Sequence, residues 1–99
     1  MAYGGSVYIL TNRHNTTLYV GVTSELQPRI IQHLEKVYSK SFTAKYNLNR
    51  LVHMEHFGFI EEAIQREKYI KGKSRQWKID LINQHNPNWD DLAPEILNW

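Results

Sequence analysis

Residues 6–23 read SVYILTNRHNTTLYVGVT, and the reading of this stretch decides the fold. Residues 6–11 and 17–22 are short runs rich in Val, Ile, Leu and Tyr. Between them lie five polar, turn-prone residues, 12–16. That pattern predicts two strands joined as a hairpin. With a side-chain period of two, Tyr8 and Leu10 are expected on one face, and Tyr19 and Gly21 on another. A hairpin alone explains neither the tyrosine in each run nor the helix bearing Arg29 and His33 that follows at once.

Downstream, Ser24 followed three residues later by Gln27 has the form of a capping box, and Glu25 suits the positive end of a helix dipole. Leu26, Ile30, His33, Leu34 and Val37 recur at helical spacing, which predicts a helix over 25–37 with Pro28 tolerated in its first turn. Residues 39–49 are polar apart from Phe42 and Tyr46 and are expected to form an ordered loop. Residues 50–57, RLVHMEHF, alternate well enough for a third strand. A helix is expected over 60–71, with Ile60, Ala63, Ile64, Glu67 and Ile70 on one stripe and Gly72 at its end. Another is expected over 75–84, with Trp77, Leu81 and Ile82 inward, followed by a turn-rich tail over 86–92. The implied class is α+β: a small three-stranded antiparallel sheet flanked by helices in the order ββαβαα.

Ninety-nine residues suit one domain spanning 1–99. The 41% hydrophobic and 12% aromatic content can fill a modest core, and three prolines with 22% charged residues argue against disorder. The absence of cysteine excludes disulfides and thiolate zinc sites, and it fits a cytoplasmic setting. No signal peptide and no apolar run of membrane-spanning length are visible, so no membrane partner is expected. A formal net charge of +2 tolerates a polyanionic partner without demanding one.

The most informative anomaly is Glu67, a carboxylate on an otherwise apolar stripe. Such a group costs free energy unless it is paired, hydrogen-bonded or bound to a cation. Lys71, four residues on, could pair with it. Arg29 and His33 share a helix face at i, i+4, either as a solvated arginine beside a stacked histidine or as a phosphate-binding guanidinium with a proton-handling imidazole. Tyr8 and Tyr19 are either sheet tyrosines or part of the same site. Lys68, Lys71, Lys73, Arg75 and Lys78 form a basic cluster, which is either a solvated face or a set of sequence-independent phosphate contacts.

Taken in order, Ser6-Val7-Tyr8, Tyr19-Val20-Gly21, Thr23, Leu26, Arg29, His33 and Glu67 resemble the GIY-YIG nuclease superfamily over nearly the whole chain. There a Gly-x-Tyr strand is followed by Tyr-x-Gly, a helix with Arg and often His, and a later helical Glu. Ser6 departs from this pattern, standing where the family usually has glycine. The short form, with REKYIKGKSRQWK and LINQHNPNWDDL downstream, is similar to the stand-alone branch related to the N-terminal domain of the excision-repair nuclease. The resemblance implies metal-dependent phosphodiester cleavage, with Glu67 holding Mg2+ or Mn2+. Arg29 would neutralise the scissile phosphate, and Tyr8 would be the general base, made more acidic by nearby cations and by bonds from His33 or Tyr19. Gly21 would allow close passage of the backbone, and Asn86 resembles a downstream asparagine of some members. DNA is favoured over RNA as substrate, and a protein partner is expected to supply specificity, since there is little room for a second binding domain. The alternative is a nucleic-acid-binding module that keeps the fold without catalysis.

Overall fold

A computed structural model describes residues 4–36 and 41–99. The strands are β1 (Gly5–Thr11), β2 (Leu18–Thr23) and β3 (Arg50–Phe57). The helices are α1 (Leu26–Leu34), α2 (Phe42–Lys45), α3 (Ile60–Lys71), α4 (Arg75–His85) and α5 (Ala93–Leu97). The sheet is antiparallel with order β2-β1-β3, so β1 is central and all seven of its residues are buried. Among the described residues, no helix is long and apolar enough to cross a membrane.

Register corrects the expected facing of the hairpin. Tyr8 pairs with Gly21 and Leu10 with Tyr19. Directly opposed residues point to the same side of a sheet, so all four lie on one face rather than two. There Tyr8 and Leu10 pack with Leu26 and Ile30 of α1, Leu48, Leu51, and Ala93 and Ile96 of α5. The opposite face carries Val7, Ile9 and Val20 against Ala63 and Ile70 of α3 and Leu81 and Ile82 of α4. Each fully buried aliphatic side chain in these layers is worth about 1.5–3 kcal/mol.

The β1–β3 register slips between Ile9 and Leu10, which face His53 and Leu51 and leave Val52 as an extra residue. A bulge of this kind strands a backbone group. Here the Val52 carbonyl accepts a hydrogen bond from Asn86 Nδ2 at 3.1 Å. The same amide donates to the Asp90 carbonyl at 2.8 Å and accepts from the Asp90 N–H at 3.1 Å. Asn86 is therefore the knot that ties the end of α4 to the bulged strand. Next to the bulge, buried His53 bonds Glu55 at 2.7 Å and Arg66 clasps the same carboxylate at 2.9 Å. The His53 bond, more than the Arg66 bond, pulls the Glu55 pKa down to about 2 against the opposing effect of burial.

Several local expectations give way to tertiary packing. No side chain caps α1. Glu25 occupies the cap position, its N–H bonds Thr23 Oγ1, and Gln27 reaches the Ile96 and Leu97 carbonyls instead of closing a box with Ser24. The helix stops at Leu34 because Lys36 adopts a left-handed φ of 52°. Val37, expected within it, lies outside the described residues, as do residues 39 and 40 of the expected loop. The rest of that loop contains α2, capped by Ser41 Oγ accepting from the Ala44 N–H. On α3, Ile64 is exposed rather than on the buried stripe.

Asn86→Ala would leave the Val52 carbonyl and the Asp90 N–H without their partners. The expected cost is about 2 kcal/mol, read as a lower urea midpoint with an unchanged slope.

Candidate active site

The pairing of Tyr8 with Gly21 positions the site. A Cβ at position 21 would overlap the Tyr8 ring and hydroxyl, so this ring fits only over a glycine. Lying across the sheet, the phenol meets the face of α1 where Arg29 and His33 sit one turn apart. Its Oη bonds His33 Nε2 at 3.0 Å and accepts from Arg29 Nε at 3.4 Å. His33 Nδ1 bonds Thr43 Oγ1 of α2 at 2.9 Å, and Arg29 Nη1 donates to Gln32 Oε1 at 3.1 Å. Tyr19 packs its ring 6.3 Å from that of Tyr8 and 5.9 Å from that of His33, while its hydroxyl bonds Arg29. A cavity of about 110 Å³ opens in front of Tyr19, Arg29, His33 and Thr43. Tyr8, only 1% exposed, lies directly behind this lining.

Burial decides the electrostatics. It pushes His33 down to about 4, helped by the neighbouring Arg29 charge, so the imidazole is neutral at physiological pH. A neutral ring carries one N–H, so of its bonds to Tyr8 and Thr43 it donates one and accepts the other. Burial also raises the Tyr8 pKa, outweighing the bond from Arg29 that lowers it. Tyr19 and the Glu67 carboxylate add to the rise. This reverses the expectation of an acidified phenol: in this arrangement Tyr8 is held neutral. The Arg29 guanidinium is pushed further up, first by its bond to Tyr8.

Glu67 approaches from α3, near enough for its charge to bear on Tyr8. Its side chain is 14% exposed and pairs with Lys71 Nζ at 3.5 Å. The ion pair read as one alternative in the sequence is thus present on this carboxylate, which α3 carries on the sheet face opposite the Tyr8 layer. Among the described residues, no three His, Asp or Glu side chains gather into a metal cluster. The donor set is one sheltered carboxylate, which fits a magnesium-type ion that keeps most of its waters and does not fit a fully protein-caged metal.

Among the basic residues, Lys71 comes to the site through Glu67. Lys73 lies 4.4 Å above the Tyr69 ring, and Arg75 reaches the Asn15 carbonyl in the β1–β2 turn. Lys68 is exposed and Lys78 half-buried. Ser6, in place of the family's glycine, is buried and bonds His56 Nδ1 across β3 at 2.8 Å. Two residues at the site were not picked out from sequence: Thr43, which orients His33, and Phe42, which stacks on Tyr19 at 6.2 Å. Their signal is Ser41-Phe42-Thr43-Ala44, a serine cap opening a single helical turn.

An α+β sheet with these residues in this order points to the GIY-YIG class of domains. Residues 4–80 match the GIY-YIG catalytic domain, and the chain belongs to that family. Nuclease-type phosphodiester hydrolysis and nucleic-acid binding are the family's implied activities. More particularly, the chain is similar to a UPF0213 protein of Syntrophus aciditrophicus, at 34% identity over 80% of this chain and 90% of that one. It is 35% identical to a UPF0213 protein of Clostridium perfringens, over 91% and 95%. The solution NMR structure of a UPF0213 protein from Bacillus halodurans superposes with a TM-score of 0.58 at 27% identity, covering 91% of this chain and 94% of that one.

The buried neutral His33 has a consequence for stability. Unfolded, the imidazole takes a proton near pH 6.5; folded, only near 4. Between these values the unfolded chain binds more protons, so this contribution is complete above pH 6.5 and is lost as pH falls toward 4. It amounts to something on the order of 3 kcal/mol. Urea melts at several pH values should show the fall in the parent and not in His33→Gln. The separate loss from Glu55, below its ordinary range, should appear in both.

Proposed function

We propose that this chain hydrolyses phosphodiester bonds in nucleic acid, as an endonuclease or nicking enzyme that works with a divalent cation. The supporting observation is the Tyr8 hydroxyl, held between Arg29 and His33 directly behind the cavity that Tyr19, Arg29 and Thr43 line, with the Glu67 charge bearing on it. Arg29 receives the scissile phosphate, since a planar, permanently protonated guanidinium suits non-bridging oxygens. Its bond to Tyr8 is long at 3.4 Å. A phosphate in the cavity draws the guanidinium outward and uncovers Oη. Tyr8, once ionised, takes a proton from the attacking water. His33 Nε2–H steadies the phenolate in the tautomer where Thr43 donates to Nδ1. Glu67 would hold Mg2+ or Mn2+, which would supply Lewis-acid neutralisation of charge on the phosphate and the leaving 3′ oxygen.

A binding module without catalysis is the second reading, favoured by the Lys71 ion pair that already satisfies Glu67. Nicking of labelled single-stranded, duplex and branched substrates with Mg2+ or Mn2+ separates the two. Because the phenol is neutral and its pKa raised, cleavage should climb by about tenfold per pH unit from about pH 7 to 9. Tyr8→Phe should lose about 10²–10⁴-fold and the slope with it, and Glu67→Gln should abolish metal-dependent cleavage. Binding without cleavage in the parent would select the second reading.

A further inference from the structure

The cavity in front of Arg29 and His33 does not end the functional surface. An aromatic series continues outward from it: the Tyr19 ring stacks on Phe42 with a centroid separation of 6.2 Å and planes 29° apart, and Phe42 contacts Tyr46 at 4.7 Å. Phe42 is 48% exposed and Tyr46 45%. Two large rings left this open, one at each end of α2, cost apolar hydration and add little to either core. Both rings are nonetheless mounted on a turn that is tied to α1. Thr43, between them, is buried and bonded to His33, and Lys36 Nζ ties α1 to the far end of α2 through Asn47 Oδ1 at 2.7 Å. Beyond Tyr46 lies a second, polar cavity of about 330 Å³ lined by Arg13, His14 and three asparagines.

Charge and position choose the occupant. Lys36 and Arg29 flank the inner end of the series, Lys45 lies 5.7 Å from the Tyr46 ring, and Arg13 stands at the outer end. Among the described residues, neither cavity is lined by an aspartate or glutamate. Open aromatic faces interleaved with cations suit a polyanion that carries flat, exposed rings, and a single nucleic-acid strand meets that description. A duplex does not, because its base faces are already stacked on one another. We infer that Phe42 and Tyr46 form a stacking platform for unpaired bases next to the scissile phosphate, so that the substrate is single-stranded or has unpaired nucleotides beside the cut. This rests on the proposed nuclease reading for the location of the phosphate. The platform itself is testable without catalysis.

Fluorescence anisotropy in EDTA, with a fluorescein-labelled oligothymidylate and a labelled duplex, measures binding alone. Phe42→Ala and Tyr46→Ala should each weaken single-strand binding by about tenfold while leaving duplex binding unchanged. Phe42→Trp should retain it, and circular dichroism melts confirm that each variant folds. In the single strand, 2-aminopurine fluorescence should be quenched by the parent and recover with Phe42→Ala. Equal loss on both probes, no loss on either, or no single-strand binding by the parent would overturn the platform and return the rings to another role such as protein docking. Single-strand binding that needs Phe42 in a parent unable to cleave would sink the nuclease reading and leave the platform standing. Cleavage indifferent to Phe42 would do the reverse.

Discussion

The packing of the Tyr8 ring over Gly21 is the constraint on which the site depends. The antiparallel register brings the two residues opposite each other, and the missing side chain lets the ring lie down across β2. Its hydroxyl then emerges where α1 presents Arg29 and His33. A ring standing away from the sheet would push α1 outward and open the layer formed by Leu26, Ile30 and Ile96. The same contact thus sets a helix position and orients a polar group. The geometry continues outward, since His33 meets Thr43 and so determines where α2 sits.

The energetic consequence is that the candidate chemistry lies inside the fold. Tyr8 and His33 are buried polar groups that satisfy each other, with Thr43 and Arg29 completing their hydrogen bonding. Satisfied networks of this kind rigidify, because breaking one member leaves another unpaired in a poorly solvating medium. The far side of the sheet has a second such network, His53–Glu55–Arg66, but its role differs. There the Glu55 carboxylate is bonded by His53 and clasped by Arg66 beside the β3 bulge, and the Arg66 guanidinium packs over the Tyr69 and Trp77 rings. That network holds the bulged strand to α3, whereas the other joins β1 to α1 and α2.

Much of this was legible in the sequence, and the parts that were not share a cause. β3 and α3 have the predicted bounds because their patterns are strong and their ends are marked by Gly58 and Gly72. Membership of the GIY-YIG family was visible from the order of Tyr8, Tyr19, Arg29, His33 and Glu67. The facing of Tyr8 and Tyr19 was not, because a period of two within each strand says nothing about register between strands. Helices α2 and α5 are too short to carry a periodic signal, and they exist because Ser41 caps one and the apolar layer receives Ile96 from the other. The raised pKa of Tyr8 was hidden for a further reason. The sequence names the groups around the phenol, but only burial determines which of them prevails.

The charge distribution bears on how nucleic acid is held. With a net charge of +2, the chain has little long-range attraction to offer. Several of the α3–α4 cations already have partners within the molecule: Lys71 has Glu67, Lys73 has the Tyr69 ring and Arg75 has Asn15. Each such cation must exchange an intramolecular contact for a phosphate, so the net gain per contact is smaller than for a freely solvated lysine. Affinity then depends more on contacts that need no charge exchange. Stacking on a half-exposed ring is of this kind, since Phe42 carries no charge to exchange. On the proposed reading, a weakly charged chain of this fold holds a strand through shape and aromatic contact, and Arg29 is the cation reserved for the phosphate beside Tyr8.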